Sequence, residues 1–434
     1  MAKPHILVLA GDDARHAISE AGFTLAGDDD VRRQTAAIVV ETRGDSGAKA
    51  ADLVRSLRAA LGPRAGLFLA WSDGQHNFDP SVFDGVLDST ASSALLAARL
   101  GSSLRIAVMA DEARLRFQTL ARFGGPAHPP VINSNKTPKV LLFGLPGPDL
   151  LQFSTALNAQ GADTIAAFTS FTAFDYLHES EFDAVVILAR DDRPTAMTFC
   201  AAMRRNARMF HMPCLIVGSP DFDNPHEAIE RGATDFAIAG DDDAGAVERL
   251  LTYIDEKRSR DALNLAFAAA RAPAAIEPTT GLYSEAFFAA HLDLLAHRAF
   301  ETDRPLSIAI ARLDEAASLG AIRGRQAIER LIGQSGAMLS RLVRAEDVAA
   351  RLDQTSFIVA FPSSDADAAA VAAERIAAVL ECTAFDVQAD QTSFSNDQPV
   401  QIKLRTQSAS LAPRESALSL IRRVSRAIDQ GQGS

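Results

Sequence analysis

Short apolar runs alternate with helix-patterned stretches twice along this chain, and that alternation constrains its fold more than any other feature. In the first 125 residues, runs at 36–41 and 67–72 are separated by helical patterns. Between 138 and 258 the runs at 139–143, 182–188 and 213–219 repeat the same rhythm. A parallel sheet wrapped by helices on both faces is the architecture such a rhythm requires. The stretch from Gly124 through Pro138 is dense in Pro, Asn and Ser, residues that stop helices and favour turns, and it reads as a linker. A second junction is a helical pattern from Val247 to Ile254 that continues in Lys-, Arg- and Ala-rich sequence to Pro273, with Pro278 beyond it. Three domains are expected, at 1–125, 138–258 and 277–430.

Composition agrees with that division. At about 100–200 residues per domain, 434 residues make two to four domains, and 47% hydrophobic content is ample for packed cores. A net charge of −12 argues against a general nucleic-acid binder, whose affinity for phosphate comes largely from cationic contacts. Any nucleotide contact should be local. Cys200, Cys214 and Cys382 show neither metal-ligand spacing nor a disulfide framework, which fits a reducing cytoplasm. The nine histidines show no ligand spacing, so no metal site is expected. No apolar run reaches the roughly 18–20 residues that span a bilayer, and residues 1–10 read as a strand followed by acids, not a signal peptide. No membrane insertion is expected.

The last domain breaks the parallel rhythm. Phe357, Val359 and Phe361 alternate with neighbours that can face the other side, Asp353-Gln354 lies between two short strands, and the segment 344–362 reads as a β-hairpin. It resembles the hairpin of GGDEF (diguanylate cyclase) domains, in which Arg-Tyr-Gly-Gly-Asp/Glu-Glu-Phe follows an Arg-x-x-Asp at a fixed interval. Here Arg351 to Phe357 holds the hairpin's place, and Asp347 precedes Asp353 by the family's six positions. Register matters because a one-residue slip turns every strand side chain to the opposite face. Thr279-Thr280-Gly281-Leu282-Tyr283 and the strand at 306–314 match further family motifs, so the resemblance covers about 277–430 and implies an α/β domain with a mixed sheet.

The substitutions within it have a chemical reading. A cyclase that joins two nucleoside triphosphates needs carboxylates to hold Mg²⁺ and a backbone free of side chains where phosphate approaches. Against the family pattern, the first metal Asp is Arg312, the two glycines are Asp353 and Gln354, and the hairpin carboxylates are Thr355 and Ser356. A base-binding Asn is replaced near Gly320, a late Lys by Ile428, and only Asp314 remains. The resemblance therefore implies a domain that is not an enzyme. By the same resemblance, Arg344 and Asp347 occupy the family's inhibitory site for cyclic di-GMP, where an Arg fork meets phosphate or the guanine Hoogsteen edge and the carboxylate accepts guanine protons. Arg375, twenty-two residues past Asp353, matches the second arginine of that site. The bland alternative is an exposed Arg344–Asp347 ion pair worth under about 1 kcal/mol and a solvated Arg375.

The two earlier domains resemble response-regulator receivers whose phosphorylation chemistry is gone. In the second, the strand that should end in the phospho-accepting Asp ends in Leu188, Gly144-Leu145 replaces the acidic pair, and Ala239 stands for a Lys; Asp191-Asp192 is a solvated loop. In the first, Glu41 takes the acceptor position, with Asp12 and Asp13 near the usual acidic pair. Glu41 either imitates an acyl phosphate imperfectly, since phosphate carries up to about −2, or is an inert replacement. The order receiver, receiver, degenerate GGDEF resembles PopA-like response regulators, paralogues of the diguanylate cyclase PleD. That resemblance implies a cytoplasmic, homodimeric cell-cycle effector at a cell pole, with no cofactor and with cyclic di-GMP as regulatory ligand. It also implies partners: RcdA-like adaptors, through which substrates reach the ClpXP protease. A residual nucleotide cyclase and a ligand-independent scaffold are the alternatives.

Overall fold

The computed structural model describes residues 5–27, 35–44, 46–62, 65–73, 78–130, 136–190, 192–219, 225–240, 243–314, 325–386 and 399–431. In the first unit, strands β1 (His5–Leu9), β2 (Thr24–Leu25), β3 (Thr35–Glu41), β4 (Leu67–Ser72) and β5 (Gly85–Asp88) form a parallel sheet in the order β2-β1-β3-β4-β5. Helices α1 (Asp12–Glu20), α2 (Ser46–Leu61) and α3 (Ser93–Ala121) accompany it. The second unit repeats the plan with β6 (Lys139–Phe143), β7 (Asp163–Ala167), β8 (Ala184–Leu188), β9 (Cys214–Gly218) and β10 (Asp235–Ile238), in the order β10-β9-β8-β6-β7. Its helices are α4 (Pro148–Ala159), α5 (Ser170–Glu179), α6 (Arg193–Arg205), α7 (Pro225–Glu230) and α8 (Asp243–Ala269). β8 and β9 are buried at every position, as strands covered by helices on both faces must be. Read from each unit's own first strand, both sheets follow the doubly wound order 2-1-3-4-5.

The third unit holds α9 (Glu285–Thr302), β11 (Leu306–Leu313), α10 (Arg325–Leu342), β12 (Val348–Arg351), β13 (Ser356–Pro362), α11 (Ala366–Glu381), β14 (Leu404–Ser410) and α12 (Ala417–Asp429). Its sheet runs β12-β13-β11-β14 with every neighbour antiparallel. The mixed sheet expected from sequence is thus corrected: among the described residues, parallel pairing there is reduced to one bridge between Tyr283 and Ala350. Chain direction explains why. Tyr283 exchanges bonds with Ala349 and Arg351, but Ser284 then caps α9 by accepting from the Phe287 amide, and the helix starts before a strand can extend.

Both faces of that sheet are dry. Ile308, Ile310, Ile358 and Ala360 pack with residues of α9 and α12 on one side, while Phe357, Val359 and Phe361 pack with residues of α10 and α11 on the other. The alternation that marks the hairpin is therefore a division between two cores, not between core and solvent.

Two long helices leave their own sheets and end in this third unit. α3, 29 residues and so about 43 Å long, buries Leu96 and Leu100 in the first unit's core and Leu115, Phe117 and Leu120 in the third's. α8 buries Val247, Leu250 and Ile254 in the second core and Ala266 in the third. By length and composition α3 is a candidate membrane span, although Arg99 and Arg105 interrupt its apolar sequence. Within its apolar first part Leu96 and Leu100 pack in the first unit's core, and further along Glu112 and Arg116 are buried.

Candidate functional site: the Arg344–Asp347 turn

Between α10 and β12 the chain turns tightly, and the turn is closed by reciprocal bonds: the Asp347 amide donates to the Arg344 carbonyl at 3.2 Å, and the Arg344 amide donates to Asp347 Oδ2 at 2.9 Å. This is a β-turn over 344–347 whose last side chain folds back onto the first amide, a short carboxylate satisfying the backbone. Its result is a division of labour. The Arg344 side chain is exposed, whereas Asp347 is only 9% accessible. Burial pushes the Asp347 carboxyl up to about 7; neighbouring Glu346 adds to the rise, and the Arg344 amide with the Arg344 and Arg116 charges opposes it. Arg375, exposed on α11, donates from Nη2 to the Leu342 carbonyl at 3.3 Å. Arg344, Asp347 and Arg375 therefore gather at one end of the third unit, two arginines exposed beside a carboxylate held near neutrality.

The positions expected from sequence to be degenerate catalytic ones lie at the other end of β12 and β13. Asp353 is exposed, and its Oδ1 accepts from the Thr355 amide at 2.7 Å and from the Thr355 hydroxyl at 3.3 Å. Gln354 is exposed and Ser356 fully buried. Arg312 donates from Nε to Ser356 Oγ at 3.0 Å and pairs with Asp429, so a guanidinium stands beside the hairpin. Asp314 pairs with Arg405 at 3.0 Å, and Ile428 is buried in the core. Arg351 grips Glu329 of α10 bidentately at 3.0 and 3.1 Å, tying hairpin to helix. Among the described residues no cluster of His, Cys, Asp or Glu suits a metal ion. Gly320 lies outside the described residues.

Residues 274–431 match the sequence model of the family described as "Diguanylate cyclase, GGDEF domain". Residues 274–431 are a GGDEF domain. Solved structures similar to this region include the FimX GGDEF domain from Pseudomonas aeruginosa, 24% identical over 36% of this chain and 92% of that one, with a TM-score of 0.33. The GGDEF domain of DgcB from Caulobacter crescentus, in complex with c-di-GMP, is 20% identical over 37% and 91%, TM-score 0.34. The diguanylate cyclase SiaD from Pseudomonas aeruginosa, in complex with its activator SiaC, is 15% identical over 43% and 69%, TM-score 0.35. No curated protein matches the chain.

Outside the GGDEF domain, the two positions expected from sequence to replace a phospho-acceptor differ in kind. Glu41, at the end of β3, takes Arg43 Nε at 2.7 Å and Nη2 at 2.9 Å, and Arg43 also pairs with Asp13 at 2.8 Å. The Arg43 hydrogen bonds hold the Glu41 carboxyl below its ordinary range, so the charge is present but already neutralised. That favours the inert reading of Glu41 over the phosphate mimic. Leu188, at the end of β8, is 8% accessible, and a Cβ at Gly144 would stand 2.7 Å from Leu188 Cβ. Asp191 lies outside the described residues, and Asp192 caps α6 by accepting from the Thr195 amide.

Sequence reasoning missed the groups that hold the GGDEF domain's turn from behind. Arg116 of α3, 3% accessible, donates to the carbonyls of Ala345, Glu346 and Asp347 at 3.1, 3.2 and 3.3 Å. Glu112, one turn earlier, accepts from Arg116 Nη2 at 2.7 Å and lies 2.9 Å from His291 Nε2 of α9. The available signal was a Glu-x-x-x-Arg pair on an otherwise apolar helix face, a spacing that brings side chains together where charge is seldom buried without purpose.

Proposed function

We propose that this chain is a cyclic di-GMP-binding effector built on a catalytically silent GGDEF domain. The observation that carries this reading is Asp347: a buried carboxylate whose Oδ2 is held by the Arg344 amide at the root of that exposed arginine, with exposed Arg375 of α11 bonded to the Leu342 carbonyl two residues earlier. Carboxyls with strongly shifted titration beside charge partners are typical of functional sites. Arg344 and Arg375 suit a ligand with phosphates and guanine edges, and Asp347 suits guanine N–H donors. Silence as an enzyme is supported by Arg312 beside the hairpin, by Asp353 turned back onto its own loop and by Asp314 already paired; phosphoryl transfer of the cyclase type needs carboxylates free to hold a metal. The two preceding units are proposed as receivers without an acceptor, Glu41 and Leu188 standing in its place. The domain order and these losses support the finer reading of a cytoplasmic, homodimeric, pole-localised adaptor that hands substrates to the ClpXP protease through RcdA-like partners. Calorimetric titration of the full chain with cyclic di-GMP tests the ligand, and a GTP-turnover assay tests the silence. Uptake at micromolar concentrations without turnover is expected; no uptake at tens of micromolar would leave the ligand-independent scaffold, and turnover would restore the cyclase.

A further inference from the structure

All three units meet at one guanidinium. Arg116 belongs to the first unit's last helix, its Cζ lies 4.5 Å from the ring centroid of Phe267 on the second unit's α8 and 5.5 Å from that of Tyr283 in the GGDEF domain, and its N–H groups serve three successive carbonyls of the Arg344–Asp347 turn. A second residue of α3 reaches the same turn independently: Arg105 Nε lies 3.2 Å from Glu346 Oε1. Behind Arg116 the contact is built, not incidental. Glu112 Oε1 receives Arg116 and meets His291 Nε2, and His291 Nδ1 lies 2.8 Å from Thr119 Oγ1, all inside the protein. Charged groups are buried this way only when well paired, and removing one partner strands the other. Because the guanidinium is bonded to backbone carbonyls, displacement of α3 displaces the turn itself. Glu112 Oε2 and Glu346 Oε2 are buried with no hydrogen-bond partner, which subtracts from the net stability of the joint and keeps docking weaker than its count of bonds suggests.

We infer that Arg116 is a positioning residue for the ligand turn, so that docking of the first unit's helix α3 and binding of a cyclic dinucleotide at Arg344, Asp347 and Arg375 reinforce each other. The ligand half of this rests on the function proposed above; the clamp on the turn does not. Coupling of this kind is reciprocal: whatever factor docked α3 adds to ligand affinity, the ligand must return to α3 docking.

The test uses the full-length protein and the variants Glu112→Gln/Arg116→Gln, which removes both charges together, Arg116→Lys, which keeps a cation beside Glu112 but cannot span three carbonyls, and Arg105→Ala. Two readouts are taken: amide hydrogen exchange without ligand, and calorimetric titration with cyclic di-GMP. In the double variant, exchange at residues 345–348 should speed up roughly tenfold and the Kd should rise roughly tenfold, the size typical of such coupling; Arg116→Lys and Arg105→Ala should give smaller changes of the same sign. In the wild type, the ligand should slow exchange around residues 112–119, a response that a merely structural Arg116 would not transmit. If the double variant fails to fold, the two single variants decide by the same readouts. Turn exchange and Kd within twofold of wild type in the variants would overturn the inference. Absence of cyclic di-GMP uptake by the wild type would instead overturn the proposed ligand, and the clamp would then stand or fall on the exchange of residues 345–348 alone.

Discussion

A single carboxylate illustrates what the turn sacrifices. An aspartate in an unfolded chain titrates near 3.8, and Asp347 in the fold titrates near 7, so between about pH 4 and 7 the folded state holds a proton that the unfolded state has lost. Stability contributed by this group therefore falls as pH rises through that window and is lowest above it, the sign for an acid whose value is raised by folding. Asp347→Asn keeps an oxygen acceptor for the Arg344 amide and has no charge to bury. At about 1.4 kcal/mol per pKa unit, it should be more stable than wild type by roughly 2–4 kcal/mol at pH 8 and by little at pH 4.5. Urea unfolding of both proteins at the two values checks this; equal differences at both would show that Asp347 is not strained. The same substitution should weaken cyclic di-GMP uptake, the trade expected where a residue serves a site at the expense of stability. Arg344→Ala should abolish uptake, since charge-assisted bonds are worth about 1.5–3 kcal/mol each. Arg375→Ala should weaken it less, because one of its N–H groups already bonds Leu342, and Thr355→Ala, at the far end of β12 and β13, should leave it unchanged. Equal effects from Arg344 and Thr355 would mean that the site lies elsewhere.

At the scale of elements, the hairpin shows why the proposed silence should not be reversed by one substitution. Arg312 links β11 to β13 through Ser356 and to α12 through Asp429, so Arg312→Asp would set a carboxylate near Asp429 instead of a partner. Neither that change nor Thr355→Glu alone should yield cyclic di-GMP from GTP with Mg²⁺ or Mn²⁺, and product formed by either variant would refute this reading. Likewise, acetyl phosphate should label neither Glu41, which is neutralised by Arg43, nor the β8 terminus, where Leu188 offers no oxygen; a phosphoaspartate found by mass spectrometry at Asp12 or Asp13 would show the wrong strand end was chosen. Much of this was legible in the sequence because it is local: the apolar runs at 182–188 and 213–219 contain the strands Ala184–Leu188 and Cys214–Gly218, and the segment 344–362 read as a hairpin pairs β12 with β13 antiparallel. The antiparallel character of the third sheet was not, because it depends on Ser284 capping α9 immediately after the single bridge at Tyr283. Nor was the joint at Arg116, whose partners at 345–347 lie 229 to 231 residues away; no periodicity within a helix encodes so distant a carbonyl.

For the whole molecule, the placement of α3 predicts where a mutation in the first unit will be felt. Phe117 is wholly inaccessible and belongs, with Leu115 and Leu120, to the same cluster as Phe287, Leu292, Ile308 and Ile358 of the GGDEF domain. The matched domain sequence begins at residue 274, so these side chains complete its core from outside its own boundaries. Truncation of a buried aromatic to alanine costs about 3–5 kcal/mol through lost transfer energy and the cavity left behind. Phe117→Ala should therefore lower the stability of the GGDEF domain by that order while sparing the first sheet, whose core draws on α3 through Leu96, Leu100 and Leu104 toward its other end. Trp71, the one tryptophan of the chain and buried in that first core, reports the first unit by fluorescence, and amide exchange in β11 and β13 reports the third. In Phe117→Ala the β11 and β13 amides should lose protection under conditions where the Trp71 transition has barely moved. If the Trp71 transition shifts instead, and β11 and β13 keep their protection, α3 is a helix of the first unit alone, and the continuity from that unit to the Arg344–Asp347 turn fails with it.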